Sequence, residues 1–306
     1  MFKLKISMEK NIMARLFIGA AGWSYKDWVP SFYPKSQSGK FDWLQFYSAY
    51  FNCVEVNASY YTYLNPSIVD SWMHKLSGNE DFSFTIKLHQ DFTHKRIYNV
   101  QNIRDTMTNL NILNSEGRLG GLLLQFPYSF AFSEANLDYI RVLIDVFNLF
   151  DCFVEVRHTS WNNDEVLGYF KSANITFCTI DQPLIGKSIS FNPIITGGSA
   201  YLRFHGRNYG AWFKSLNVNS TEKQTYSEQS ERYNYLYSPG ELIEISREIK
   251  EIYDEVKNIY VIMNNHPSGN APANAFEFIN MLTEKREINI PENCIEAFPR
   301  LKEIAA

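Results

Sequence analysis

Cysteine is scarce and scattered. The four residues, Cys53, Cys152, Cys178 and Cys294, form no CxxC pair and no zinc-ligand spacing. That spread points to unpaired thiols in a reducing compartment, so a cytoplasmic setting is expected. A long apolar run is also missing, which removes the membrane-spanning helix from consideration. The opening stretch "MFKLKISMEKNIMAR" carries charges and no adequate apolar segment, so it does not read as a signal peptide. Residues 1–14 are expected to be a disordered extension, with one domain over 15–306. A cationic excess is absent too: 29 lysines and arginines face 33 aspartates and glutamates, a net charge of −4. Sequence-independent binding to nucleic acid needs a basic face, so nucleic acid is disfavoured as a partner. No GxGxxG or Walker pattern follows the first apolar run, which counts against a dinucleotide or P-loop fold. No nucleophile elbow is present.

What the chain does have is rhythm. Short apolar runs alternate with longer amphipathic segments. The runs are "LFIGAAGW" (16–23), "CVEVN" (53–57), "FSFTIKLH" (82–89), "GLLLQFP" (121–127), "CFVEVRH" (152–158), "ITFCTID" (175–181), "AYLRFHG" (200–206) and "NIYVIMNN" (258–265). Helical patterns fall near 40–51, 66–76, 99–114, 134–149, 162–173, 239–256 and 271–284. The sixth crossover, 182–199, is rich in proline and glycine and reads as a loop or a short irregular helix. Eight strands with interleaved helices predict an α/β fold: a TIM-like (β/α)8 barrel, single domain, with a long insertion after strand seven. A doubly wound open sheet is the alternative. The insertion, about 207–238, has a polar centre flanked by Trp212, Phe213, Tyr233, Tyr235 and Tyr237. Its length suits a lid, and residues 215–230 are expected to be mobile.

The stretch "FVEVRHTSW" (153–161) poses a problem that the barrel solves. Val154 and Val156 share one strand face, and Glu155 and Arg157 share the other. Charged groups do not suit a buried face unless something satisfies them. If the valines meet the helices, Glu155 and Arg157 face the barrel axis near its carboxyl end, where barrel enzymes place their sites. The other strands repeat the pattern. Glu55 and Asn57 oppose Val54 and Val56; Lys87 and His89 oppose Ile86 and Leu88; Arg203 and His205 oppose Leu202 and Phe204. Gln125, Asp181, Asn264, Asn265 and Trp23 end their own strands, and His158 and Arg207 lie just beyond theirs. A structural network of satisfied charges, such as Glu155 with Arg203 or Glu55 with Lys87, is the competing reading. It gives no reason for polar groups to gather at one end of nearly every strand.

These pieces carry a resemblance. "GWSYKDWVPSFYP", "FNCVEVNASYY", "FSFTIKLHQDFTH", "LLLQFPYSF", "FVEVRHTSW", the Asp of "TID", "AYLRFHGR", "RYNYLYSPGEL" and "NNHPSGNAPANA" run in order through residues 17–280. Together they resemble the YecE-like family, domain of unknown function 72. The resemblance implies a TIM-like barrel and leaves the reaction open. Thr159 stands where the family usually has proline, and His266 where an acidic or small residue is commoner.

The chemistry expected of this constellation is that of an enzyme on a small anionic metabolite, a hydrolase, lyase or isomerase. Glu55, Glu155, Asp181 and His205 are the candidate catalytic groups, with Glu155 or His205 as base. Lys87, His89, Arg157, His158, Arg203, Arg207, Asn57, Gln125, Asn264, Asn265 and Trp23 are the candidate substrate contacts. Guanidinium groups grip carboxylate or phosphate in bidentate fashion. The turn "HPSGNAP" leads into a helix whose amides are a further candidate anion site. No cofactor is expected, although Glu55, His89, Glu155, Asp181 and His205 could serve a divalent metal. A glycosidase-like pair, Glu55 with Glu155, is a second alternative. A non-catalytic binding or scaffold protein is the third.

Overall fold

The computed structural model describes residues 13–37, 39–217, 225, 230–283 and 285–306. Among them, nine parallel strands form one sheet in the order β6-β5-β4-β3-β2-β1-β9-β8-β7. The strands are β1 (Arg15–Ala21), β2 (Cys53–Val56), β3 (Ser83–Lys87), β4 (Leu119–Gln125), β5 (Cys152–Glu155), β6 (Thr176–Phe177), β7 (Thr179–Asp181), β8 (Ser199–Phe204) and β9 (Asn258–Met263). The two end strands follow one another in sequence with Cys178 between them. Cys178 donates its amide to Val154 of β5, and Thr176 Oγ1 donates to the Ser199 carbonyl of β8. The sheet therefore curls into a nearly closed barrel flanked by helices, TIM-like in form. The sixth apolar run supplies one staved position broken in two, because β6 pairs with β5 while β7 pairs with β8.

Alternation decides what each face buries. Val154 and Val156 pack outward into the shell shared with the helices, while Phe153 joins an interior cluster with Phe17, Leu123, Tyr201, Tyr260 and Ile262. Stacked rings plug this interior. Phe17 lies 4.7 Å from Tyr260, and Phe153 lies 4.5 Å from Tyr201. The shell is covered by α1 (Trp43–Ser48), α2 (Ala58–Tyr61), α3 (Pro66–Lys75), α4 (Val100–Ser115), α5 (Glu134–Val146), α6 (Asp164–Ser172), α7 (Tyr209–Asn217), α8 (Pro239–Glu251), α9 (Asn270–Thr283) and α10 (Glu292–Ala297). Local chemistry fixes where they start. Asp42, Asn65, Asn99, Ser133 and Asn163 each accept a backbone N–H of the turn they open. Ser238 and Glu241 form a capping box at the head of α8, with Pro239 in its first turn.

Two expectations change, and one open alternative closes. Residues 209–217, read as the start of a long loop, form α7; Asn208 Oδ1 accepts the Ala211 amide at its start. Of the two readings of the sixth crossover, the segment 182–198 takes the loop and carries no helix. In the turn before α9 the Ser268 amide donates to Asp27 at 2.8 Å and the Asn270 amide to the Pro267 carbonyl, so these two are not open to an outside anion. The expected extension 1–14 lies largely outside the described residues, as do 218–224 and 226–229 of the expected lid. All four cysteines are free and buried, and no helix among the described residues is long and apolar enough to cross a membrane.

Candidate functional site

Above the aromatic plug, the inward faces turn polar in layers. The lowest polar layer is an ion cluster sealed from water. Arg203 is 1% exposed, and Glu55 and Glu155 are 0% exposed. Arg203 donates from Nε and Nη2 to the two oxygens of Glu55 at 2.8 and 2.6 Å, and from Nη1 to Glu155 Oε2. Tyr201 donates to Glu55 Oε2 at 2.8 Å. Arg157, two residues beyond Glu155 on the same face, donates to Glu155 Oε1 from Nε and approaches it with Nη2, both at 2.9 Å. Isolated charges at such depth would cost far more than a fold can spare, so each oxygen is matched by a donor. Burial pushes the Glu155 carboxyl up, but Arg203, Arg157 and His205 outweigh it and hold it well below the usual carboxylate range. Asn264 Nδ2 donates to His205 Nδ1 at 2.8 Å, leaving the ring proton on Nε2, 3.5 Å from Glu155 Oε1. Burial pushes this imidazole down to about 3, so it is neutral at physiological pH.

The next layer opens to solvent as a cavity of about 140 Å³. From the strands it is lined by Asn57, Lys87, Gln125, Arg157, Arg203 and Asn264. From the loops come Tyr25, Tyr61, Ser230, Arg232, Tyr233 and His266. Four of the twelve lining residues are lysine or arginine, and none is a carboxylate. Burial, reinforced by Arg203, drives the Lys87 ammonium down to about 7, against the opposing pull of Glu55 and Glu155. Its Nζ sits 4.3 Å from the centre of the Tyr60 ring. Tyr25 stacks on His266 at 4.6 Å, and the Arg232 guanidinium lies over both the Trp212 and Tyr233 rings at 5.5 and 5.6 Å. Asn57 Oδ1 and His266 Nδ1 are buried acceptor-capable atoms without a hydrogen bond among the described residues.

The sequence-derived candidates thus separate into groups. Asn57, Lys87, Gln125, Arg157, Arg203 and Asn264 come together on the cavity wall. Glu55, Glu155 and His205 lie directly beneath it, bonded to that wall rather than facing a ligand. Asp181 does not join them. It accepts from Arg207 Nη2 at 2.6 Å and from Tyr237 at 2.6 Å, and Arg207 continues to Glu241 at 3.0 Å. His89 turns away to Asp91, 3.2 Å distant, and stacks on Tyr63. His158 bonds Ser160 and opens the turn that carries Trp161. Asn265 donates to Tyr235 and Asn274, and Trp23 packs edge-on to Trp72. Of the five residues weighed as metal ligands, Asp181 and His89 lie apart from Glu55, Glu155 and His205, and the described residues contain no group of three His, Cys, Asp or Glu side chains that could hold an ion. A glycosidase-like pair needs one protonated carboxyl; Glu155 is held ionised, and neither it nor Glu55 lines the cavity.

The family profile described as "Protein of unknown function DUF72" matches residues 17–296. The chain belongs to this family. Among the DUF72 relatives, it is 26% identical over 280 residues to the UPF0759 protein YunF of Bacillus subtilis, covering 87% of this chain and 94% of that one. It is similar to the solved structure of the DUF72 protein TM1631 from Thermotoga maritima, with 32% identity, a TM-score of 0.75, and coverage of 88% of this chain and 99% of that one. The DUF72 protein EF0366 from Enterococcus faecalis shares the fold at 22% identity and a TM-score of 0.74, with 88% and 95% coverage. The DUF72 barrel is legible in the strand ends. Tyr25, Tyr61, Ser230, Arg232, Tyr233 and His266 are the lining residues that strand alternation misses. They arrive from loops, and a periodicity argument says nothing about where a loop returns to the barrel mouth.

Proposed function

We propose that the cavity is the active site of an enzyme acting on a small anionic molecule, one bearing a carboxylate or phosphate. One observation carries this reading: four lysine and arginine side chains line the cavity and none of its lining residues is a carboxylate. Glu55 and Glu155 neutralise Arg203 from below and leave the guanidinium layer rigid. Arg157 has bonds to Glu155 through Nε and Nη2, and it also borders the cavity. A ligand oxygen there meets a pre-positioned donor with no ordering left to do, which favours anion binding and charge stabilisation during a reaction. Glu155, Glu55 and His205 then act as positioning residues. Hydrolase, lyase and isomerase chemistry all fit such a site.

A thermal-shift titration with phosphate, sulfate and simple carboxylates tests the reading, since a ligand of the native state raises the melting temperature by mass action. Wild-type protein should gain stability with at least one of them. Arg157→Ala, compared with its own ligand-free melting point, should bind that anion more weakly by about 1.5–3 kcal/mol, the scale of a hydrogen bond to a charged group. A melting temperature indifferent to all of them would remove the anion site and put a neutral substrate first.

A further inference from the structure

Lys87 is oddly placed for a residue that only holds an anion. It ends β3 on the face shared with Thr85, level with Leu123 of the neighbouring strand, and its side chain reaches the cavity wall. Two glutamates lie close enough to influence its charge. Yet among the described residues Lys87 Nζ has no hydrogen bond or ion pair, and the group it meets is the Tyr60 ring. The cause is visible in the cluster below. Both oxygens of Glu55 are taken by Arg203 and Tyr201; Glu155 Oε2 is taken by Arg203 and Oε1 by Arg157. Two guanidiniums have pre-empted the counter-ions and left an amine facing the ligand space without one.

We propose that Lys87 is a covalent catalytic residue whose Nζ condenses with the carbonyl carbon of a small 2-oxo carboxylate. This rests on the anion-site reading, because Arg157 and Arg203 are what would hold the substrate carboxylate beside the amine. In the step itself the neutral amine adds to the carbonyl carbon, forming a C–N bond while the C=O π pair moves to oxygen. That oxygen takes one proton from the nitrogen and one from solvent and leaves as water. The product is a protonated imine on Lys87, an electron sink for bond cleavage or proton loss at the neighbouring carbon. The surroundings suit both ends of the step. Burial and Arg203 keep much of the amine neutral near pH 7, and the carboxylate of the bound substrate balances the cationic imine.

The test traps the imine. Full-length protein is incubated with pyruvate or glyoxylate, reduced with borohydride, and examined by intact mass and peptide mapping. The expected result is one adduct per chain, on Lys87, dependent on both reagents and suppressed by the anion that stabilises the fold. Labelling at pH 7 should exceed that of surface lysines by on the order of 1,000-fold, from the larger neutral fraction of an amine with a lowered pKa. Lys87→Met should lose the adduct; Lys87→Arg, which keeps the charge, should lose it while retaining the thermal shift. An adduct spread evenly over surface lysines overturns the proposal. So does a thermal shift given equally by pyruvate and lactate with no adduct, which would leave the anion site standing. Absence of any anion-dependent shift would instead bring down the underlying reading.

Discussion

Replacing Arg203 with methionine should lower the unfolding free energy by about 3–5 kcal/mol, the usual result of removing one partner from a buried ion pair. The magnitude follows from what the substitution strands. Glu55 loses both guanidinium donors and keeps Tyr201; Glu155 keeps Arg157 and loses its other guanidinium. Neither carboxylate reaches water. The methionine fills much of the volume, so the loss measures charge rather than a cavity. Adding Glu55→Gln to Arg203→Met should restore part of the stability, because a neutral amide costs less to bury than an unpaired carboxylate. Urea unfolding at pH 7.5 of wild type, the single variant and the double variant reads this out. A single variant within about 1 kcal/mol of wild type, or a double variant less stable than the single, would show that the cluster does not depend on Arg203 for compensation.

Stability should fall steeply as the pH drops below about 6.5, well before carboxylates titrate. Burial pushes His205 down to about 3 and His266 down to about 4, from an ordinary value of 6.5. Below 6.5 the unfolded chain takes up protons on these rings and the folded chain does not. Their contribution is therefore fully present above that value and is lost progressively toward the folded values. Each ring costs about 1.4 kcal/mol per pH unit across the window, so the pair costs about 3 kcal/mol per unit. Half-buried His94, also pushed down by burial to about 4, steepens the same limb. Glu155 acts in a lower window. Its carboxyl is held below the ordinary 4.5, so its contribution is lost only as the pH falls below that value. Urea midpoints from pH 8 to pH 5 should show the slope, and His205→Gln should flatten it. Midpoints unchanged between pH 7.5 and 5.5 would contradict a neutral, buried His205.

The barrel was legible because its signal is local. Val154 and Val156 against Glu155 and Arg157 fix a face without reference to any other strand, and eight such runs fix the architecture. Depth along the axis is not local. Glu55 pairs in register with Thr85, and Lys87 sits two residues farther along the same strand. That offset puts Glu55 beneath the cavity floor and Lys87 on its wall, and it depends on strand pairing that no single run encodes. Asp181 shows another limit. Its strand breaks at Cys178, and the local change of pairing sends its carboxylate to Arg207 and Tyr237 rather than to the shared cavity. The start of α7 did carry a signal in Asn208, a capping residue ahead of Trp212, but the polar stretch that follows it masks the helical pattern.

The stack of Phe17, Tyr260, Phe153 and Tyr201 has a kinetic consequence. It stoppers the barrel below the ion cluster, so the cavity is blind-ended and nothing threads through the axis. A molecule must depart by the route it arrived, past the rings and cations that border the mouth. Residence time is then governed by Arg232, Tyr233 and His266, which border the ligand space from loops rather than from the strands that carry the ion cluster. Changes at those positions can alter dwell time and selectivity while the ionic floor, and the stability it carries, stays as it is.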